Sequence, residues 1–139
     1  MKFSLALILS SLLVACSSAT SDEQRVRALF ASAEEAAESR DVGDLLELVA
    51  DEYADDQGNT RDSLRVFLRV FFAAHPKLEL VTNVDDLQFP VAGLARARVT
   101  VRGLDLDRFN AGDSVRLDVE LRIVGGEWRI VRADRPREP

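Results

Sequence analysis

The sequence predicts an α+β domain in which three N-terminal helices pack on an antiparallel sheet. Apolar residues recur at helical spacing through positions 22–74, and from Lys77 onward they alternate with polar residues as in strands. Gly125-Gly126 separates two alternating stretches, which is the signal of a tight hairpin. Helices followed by a hairpin-rich sheet are typical of the α+β class.

The first element is a secretory signal. Lys2 supplies a positive charge, and the run from Phe3 to Val14 is largely apolar but shorter than the roughly 20 residues that cross a bilayer. Leu13-Val14-Ala15-Cys16 resembles the lipobox of bacterial lipoproteins. The resemblance implies a removed signal peptide at residues 1–15, a lipid on Cys16 and a polar tether over residues 16–21. An ordinary cleaved signal with a chance cysteine stays the alternative.

The predicted anchor implies a location and a membrane partner. Bacterial lipoproteins carry two or three acyl chains, palmitate among them, and two or more chains hold a protein stably on a membrane. Ser17 follows the cysteine, where Asp would favour retention at the inner membrane. We therefore expect a cell-envelope protein that is held by lipid on the outer membrane and faces the periplasm.

The composition describes one folded domain. The chain has 139 residues, of which 47% are hydrophobic and 30% are charged, as in globular proteins. The formal net charge is −6 at pH 7, which argues against nucleic acid as a partner. Cys16 is the only cysteine, so no internal disulfide is available once it carries lipid. The pattern indicates no cofactor.

Helix-capping signals divide the N-terminal half. Ser21 and Gln24 form a capping box, which predicts a helix from Asp22 to about Ser39. Asp41 is the next cap and precedes a short apolar helix. Residues 51–59 are acidic and end in Gly58-Asn59, so they are expected to form a loop with at most a short extended piece at Tyr53.

Thr60 caps the third helix, predicted from Arg61 to about Ala74 and ended by Pro76. Apolar residues cover most of its circumference, which predicts burial on two sides. Its polar remainder is a strip at spacing four, interpreted as solvated or as a contact for an anion or a partner: Arg61, Arg65 and Arg69.

The C-terminal half predicts four strands. Leu78 to Phe89 indicates a long strand with a bulge or two short strands, and residues 91–94 form a turn. Residues 95–102 follow as a strand with one apolar and one basic face, and the stretch from Gly103 to Gly112 is expected to be a loop.

The last hairpin shows the most regular alternation, over residues 114–123 and again over residues 127–133. A symmetric turn at Gly125-Gly126 pairs Ile123 with Trp128 and Leu121 with Ile130. Outward charges are expected to pair across strands: Arg96, Arg98 and Arg102 against Asp118 and Glu120. Residues 135–139 form a charged tail.

The chain resembles the nuclear transport factor 2-like superfamily in the order of its elements and in three local features. These are the second helix that begins after Asp41, the Leu-Val-Ala-Asp-Glu-Tyr segment at residues 48–53 and the Trp128 hairpin. This superfamily includes ketosteroid isomerase-like and SnoaL-like domains. The resemblance covers residues 22–134. It implies a sheet curved around the long helix into a cystatin-like cone that often holds a pocket, with five aromatic candidates for the lining: Phe30, Tyr53, Phe67, Phe71 and Trp128.

The isomerase branch of that superfamily implies an Asp base near Asp55 or Asp56. It also implies two oxyanion donors, but the corresponding places fall near Ala33 and Val119, whose side chains cannot donate a proton. A base without an oxyanion hole lacks what is often the largest catalytic contribution. The resemblance to the isomerases therefore does not extend to their catalytic set.

Other candidate sites have plain structural alternatives. His75, the only histidine, is interpreted as a helix-terminus partner, with acid–base work as the alternative. The acidic loop does not match the spacing of an EF-hand and is interpreted as solvated, so no metal site is expected. Its acidic residues are Asp51, Glu52, Asp55 and Asp56.

These observations predict a membrane-anchored lipoprotein that does not catalyse a reaction. Its domain is expected to bind a small apolar ligand or an envelope protein, and it could form a homodimer through the open face of the sheet. The alternative is a pocket enzyme, an isomerase or a hydrolase, that uses Asp55, Asp56 or His75.

Overall fold

The computed structural model describes residues 20–105 and 114–137 as helices on one side of an antiparallel sheet. The helices are α1 (Asp22–Glu38), α2 (Val42–Glu47) and α3 (Arg61–Ala74). The strands are β1 (Leu78–Val91), β2 (Leu94–Asp105), β3 (Ser114–Val124) and β4 (Glu127–Asp134), in the sheet order β1-β2-β3-β4. The predicted α+β class is confirmed.

The predicted helix caps are confirmed at all three starts. Ser21 and Gln24 form the reciprocal capping box of α1. The Asp41 side chain accepts from the backbone of Asp44 at 2.9 Å, and the Thr60 side chain accepts from Ser63. Each oxygen satisfies a backbone N–H that has no partner inside its helix.

The sheet has the predicted bulge and hairpin. The β1–β2 register shifts between Val84 and Asp86, and Ile123 pairs with Trp128 across the Gly125-Gly126 turn. Both glycines of that turn have positive φ, as a two-residue hairpin requires. The loop predicted from Gly103 is wrong at its start, because Gly103 pairs with Leu80 and β2 continues to Asp105. Residues 106–113 of that prediction lie outside the described residues.

The main core lies between α1 and the inner face of the sheet. Val26, Leu29 and Phe30 are buried there against small and branched residues of the strands. The strand partners are Ala95, Ala97, Val99, Val119, Leu121 and Trp128. Alternate strand residues point inward, and the small side chains of Ala95 and Ala97 on β2 pack in the same cluster as the Phe30 ring of α1.

The prediction that α3 is buried on two sides is wrong. Only Phe72 of this helix is fully buried, in a second cluster with Ala37 and Leu78. Val66, Phe67 and Val70 are 63%, 58% and 66% exposed. Elements pack against one face of α3 and leave the other to solvent; we call these three side chains the α3 apolar face.

Salt bridges cover the outer face of the sheet. Arg98 pairs in register with Asp118 and bonds it at 3.1 Å, and Arg96 lies 3.6 Å from Glu120. These pairs confirm the predicted cross-strand arrangement for Arg96 and Arg98. The prediction is wrong for Arg102, which lies opposite Ser114 because the register places both acidic residues nearer the Gly125-Gly126 turn. They are exposed to solvent and so contribute little to stability individually.

Two contacts join the outer strands to the helical layer. The half-buried carboxylate of Glu34 accepts from both the backbone N–H and the hydroxyl of Thr82 on β1. At the opposite edge of the sheet, the backbone of Ile130 in β4 donates to Leu48 and accepts from Ala50, each at 2.9 Å.

In the described residues, no helix is long and apolar enough to cross a membrane.

Candidate functional site

A groove of about 280 Å³ lies where the chain leaves α2 and passes between α3 and strands β3 and β4. Its aliphatic side chains come from four separate elements: Val49, Leu64, Leu117, Ile130 and Ala133. Polar side chains line the rest: Tyr53, Asp55, Asp56, Gln57 and Arg135. We call it the Tyr53 groove, because Tyr53 is the predicted pocket residue that lies in it.

The segment after α2 is fixed along β4, and this contact positions the groove. Val49 forms a parallel bridge with Ile130, and Ala54 donates to the carbonyl of Val131 at 3.2 Å. Asp55 and Asn59 close the following loop with a backbone hydrogen bond of 3.2 Å. The predicted loop with a short extended piece at Tyr53 is therefore confirmed.

Tyr53 is only 4% exposed. Its hydroxyl lies 3.5 Å from both an Asp55 carboxylate oxygen and the carbonyl of Ala133, so both hydrogen bonds are long. Burial, together with the negative charges of Asp55 and Asp134, raises the pKa of Tyr53 to about 12. The hydroxyl is thus a neutral hydrogen-bond donor at neutral pH.

Asp55 is a loop anchor rather than a free base. One carboxylate oxygen accepts from the backbone of Gln57 at 2.9 Å and of Asn59 at 2.8 Å, and the other accepts from the Asn59 side chain at 2.8 Å and from Tyr53. Burial alone would raise the pKa of Asp55, but these hydrogen bonds outweigh it and hold the pKa below its ordinary value. A carboxylate with four donors has little capacity left for a substrate proton.

The neighbouring Asp56 bonds to β4 through its backbone N–H. Its N–H donates to Asp134 at 2.8 Å, and Arg132 bonds the other oxygen of the same carboxylate. Burial would raise the pKa of Asp134, but these two donors hold it below its ordinary value. The Asp56 side chain is exposed at the groove rim.

His75 ends α3, apart from the side chains that line the groove. Its Nδ1 lies 2.9 Å from the carbonyl of Phe71, and its ring lies 4.5 Å from the Phe71 ring. This is the helix-terminus role favoured from the sequence. In the described residues, no group of three or more His, Cys, Asp or Glu side chains is arranged to hold a metal ion.

The five aromatic candidates do not share one pocket. Phe30 and Trp128 are buried in the main core, where the Trp128 indole donates to Asp22 at 3.1 Å. Phe67 and Phe71 stack on each other along α3 with ring centroids 5.6 Å apart. Tyr53 alone lines the groove.

The arginine strip of α3 also separates. Arg61 is half-buried and donates to the carbonyls of Leu46 and Val49, at 2.8–3.2 Å, where α2 ends. Arg65 pairs with Asp62 at 2.7 Å. Arg61 therefore belongs to the scaffold of the groove, a role that spacing along one helix could not indicate.

The two positions that correspond to the oxyanion donors of the isomerases lie on different elements, α1 and β3. Val119 is buried in the core, and Ala33 is half-buried on α1.

A wider depression of about 420 Å³ lies on the outer sheet face, but paired charges line it. Its charged residues are Asp86, Arg96, Arg98, Asp118, Glu120, Arg132 and Asp134. Cys16 lies outside the described residues.

No protein-family model matches the chain, and no curated protein matches it in sequence. Among solved structures, a domain of unknown function with a cystatin-like fold from Nostoc punctiforme is 16% identical, with a TM-score of 0.71 over 87% of this chain and 80% of that chain. An NTF2 design is 18% identical, with a TM-score of 0.66 over 84% of this chain and 100% of that chain. A provisionally named scytalone dehydratase from Novosphingobium aromaticivorans is 13% identical, with a TM-score of 0.68 over 80% of each chain.

At these identities the likeness shows the fold alone. The chain therefore has a cystatin-like, NTF2-like fold, as the sequence resemblance implied.

Proposed function

We propose that this protein is an envelope lipoprotein, anchored through Cys16, whose domain binds a small apolar ligand in the Tyr53 groove without catalysis. The observation that carries the ligand proposal is the lining of that groove, with five aliphatic side chains beside one buried tyrosine hydroxyl. Apolar walls with a few placed polar groups are typical of small-molecule sites. Asp55, Asp56 and Arg135 add charges of both signs to the lining.

The anchor proposal is supported by the lipobox-like residues 13–16 and is tested by the variant Cys16→Ser. We expect the wild-type protein to take up a clickable palmitate analogue and to fractionate with membranes, because two or more acyl chains hold a protein stably. The variant should lose both properties. Unchanged partition of Cys16→Ser would refute the anchor.

The ligand proposal is tested with a neutral fluorescent probe, N-phenyl-1-naphthylamine, whose apolar rings match the aliphatic lining of the groove. Leu117→Trp places a bulky ring in the groove and should weaken probe binding. Val115→Trp is the matched control, because Val115 lies two residues along β3, is also half-buried, and is separate from the groove-lining side chains. Equal affinity in the two variants would refute the groove as the site.

A protein partner is the second candidate function, favoured by the α3 apolar face. Isolated exposed apolar residues are ordinary, but neighbouring ones on one helix face favour association. Crosslinking in the native envelope followed by mass spectrometry should then enrich one protein with the wild type and lose it with Phe67→Glu. Arg69→Glu, on the same helix, is the control for added negative charge.

The enzyme alternative loses support at Asp55. That carboxylate is occupied by four donors, and His75 is engaged at the end of α3. The homodimer through the open sheet face stays a prediction, and sedimentation of the wild type with Arg98→Glu as a comparison would test it.

A further inference from the structure

Both tight turns of the sheet lie at one end of it. The β1–β2 turn at Ala92-Gly93 and the β3–β4 turn at Gly125-Gly126 are adjacent, because Ile123 donates to the carbonyl of Gly93 at 3.2 Å. We call this the hairpin end. The opposite end of the sheet is where β1 begins, beside the end of α3.

The chemistry of the outer face changes at the hairpin end. Arg96 of β2 and Glu120 of β3 pair on the outer face. Two residues closer to the turns, Leu94 lies opposite Arg122 on the same face, and Val91 of β1 pairs with Leu94. Val91 is 63% exposed. Beside the turns, the outer face therefore adds apolar side chains to the arginines Arg122 and Arg129, which lie opposite each other on β3 and β4.

Apolar side chains wrap around this end on both faces. Val124 next to the second turn is exposed, and so are Ile123 and Phe89 on the inner side. The Phe89 ring meets Trp128 edge-on, with centroids 5.9 Å apart, which ties the tip of β1 to the tip of β4. The exposed apolar set of the hairpin end is Phe89, Val91, Ile123 and Val124.

The N-terminus of α1 lies at this same end. Arg25 in its first turn donates to the carbonyl of Gly126 at 2.6 Å, and the Trp128 indole donates to Asp22 at 3.1 Å. The chain therefore enters the domain beside the hairpin end. Four residues lie between Cys16 and the cap Ser21. The five steps along the chain, at roughly 3.3–3.6 Å each, reach at most about 18 Å.

We propose that the hairpin end is the surface of the domain that contacts the lipid bilayer. This inference rests on the proposed anchor at Cys16. The short tether holds the hairpin end near the lipid. The far end of β1, at Leu78, lies thirteen residues from Val91, or up to roughly 43 Å along the strand at about 3.3 Å per residue. Apolar side chains on an otherwise charged face then meet acyl chains and head groups instead of water.

Introduced thiols test the orientation directly, because Cys16 is the only native cysteine and its thiol carries the lipid. The lipidated full-length protein is prepared as Val91→Cys, Val124→Cys or Val81→Cys and labelled with an environment-sensitive nitrobenzoxadiazole dye. Each is reconstituted into vesicles of phosphatidylethanolamine and phosphatidylglycerol containing a doxyl-labelled quencher lipid. Val81 is the matched control, because it is an exposed valine of the same strand ten residues from Val91 and pairs outward with Arg102.

We expect the labels at positions 91 and 124 to emit at shorter wavelength and to lose intensity when the quencher lipid is present. The label at position 81 should keep its aqueous emission. Vesicle-bound protein whose labels at 91 and 124 behave like the label at 81 would overturn the orientation and leave the anchor intact. A wild type that does not float with vesicles would overturn the anchor and, with it, this inference.

Discussion

The state of the Tyr53 hydroxyl gives the sharpest prediction about the groove. Burial and two nearby carboxylates raise its pKa from 10.0 to about 12. Between those two pH values the unfolded chain has released the tyrosine proton and the folded chain still holds it. The free energy of unfolding therefore falls as pH rises through this range. Below about pH 10 both states hold the proton, so Tyr53 adds no pH dependence to the stability.

The magnitude follows from the shift. One pKa unit corresponds to about 1.4 kcal/mol, so the full loss near pH 12 is about 3 kcal/mol, and half of it is reached near pH 11. Tyr53 is the only tyrosine of the chain, so tyrosinate absorbance in the near ultraviolet reports this hydroxyl alone. Urea unfolding at several alkaline pH values measures the stability, and Tyr53→Phe should remove this part of the slope.

The variant Asp55→Asn separates the causes. It removes one of the two charges beside the hydroxyl, so the pKa of Tyr53 should fall, while burial keeps it above its ordinary value. Asp56→Asn is the matched control, because the exposed Asp56 side chain makes no contact with the hydroxyl. Half-titration of Tyr53 near pH 10 in a folded wild-type protein would show that the hydroxyl meets water, and would refute this description of the groove.

Three further outcomes follow from the contacts around the helical layer. Glu34→Ala should lower the free energy of unfolding by about 2 kcal/mol, because the backbone N–H and the hydroxyl of Thr82 both lose their acceptor. Thr82→Val should lower it less, and urea midpoints measure both. Arg61→Met should cost about 1–2 kcal/mol by leaving backbone carbonyls unpaired, whereas Arg69→Met should stay within about 0.5 kcal/mol, and equal effects would contradict the scaffold role of Arg61. The pKa of Asp55 is lowered in the folded chain, so the ionised Asp55 stabilises the fold and this contribution is lost as pH falls below the ordinary pKa of an aspartate. Asp55→Asn should therefore reduce the loss of stability on acidification, measured by urea unfolding at several acidic pH values.

Local chemistry explains why so much of the fold was predictable. Ser21, Asp41 and Thr60 cap helices through bonds to residues three positions on, so the signal and its partner lie in one window of sequence. Gly125-Gly126 determines the register of the last hairpin for the same reason. These features need no knowledge of distant residues.

The features that were missed depend on partners far along the chain. The composition of α3 reports apolar side chains but not whether a second layer covers them, and here Val66 and Val70 face solvent. Gly103 continues strand β2 because it pairs with Leu80 of β1, which lies more than twenty positions earlier in the chain. The Tyr53 groove is lined by residues from 49 to 135, so no local motif could indicate it.

The contacts at the two edges of the sheet have a consequence for association between copies of the chain. Outermost strands expose backbone groups that can pair with another chain and start aggregation. Here the carboxylate of Glu34 occupies an N–H of β1, and the segment after α2 bonds Ile130 of β4 from the other side. These two contacts remove places where a neighbouring copy of the chain would otherwise add strand to strand.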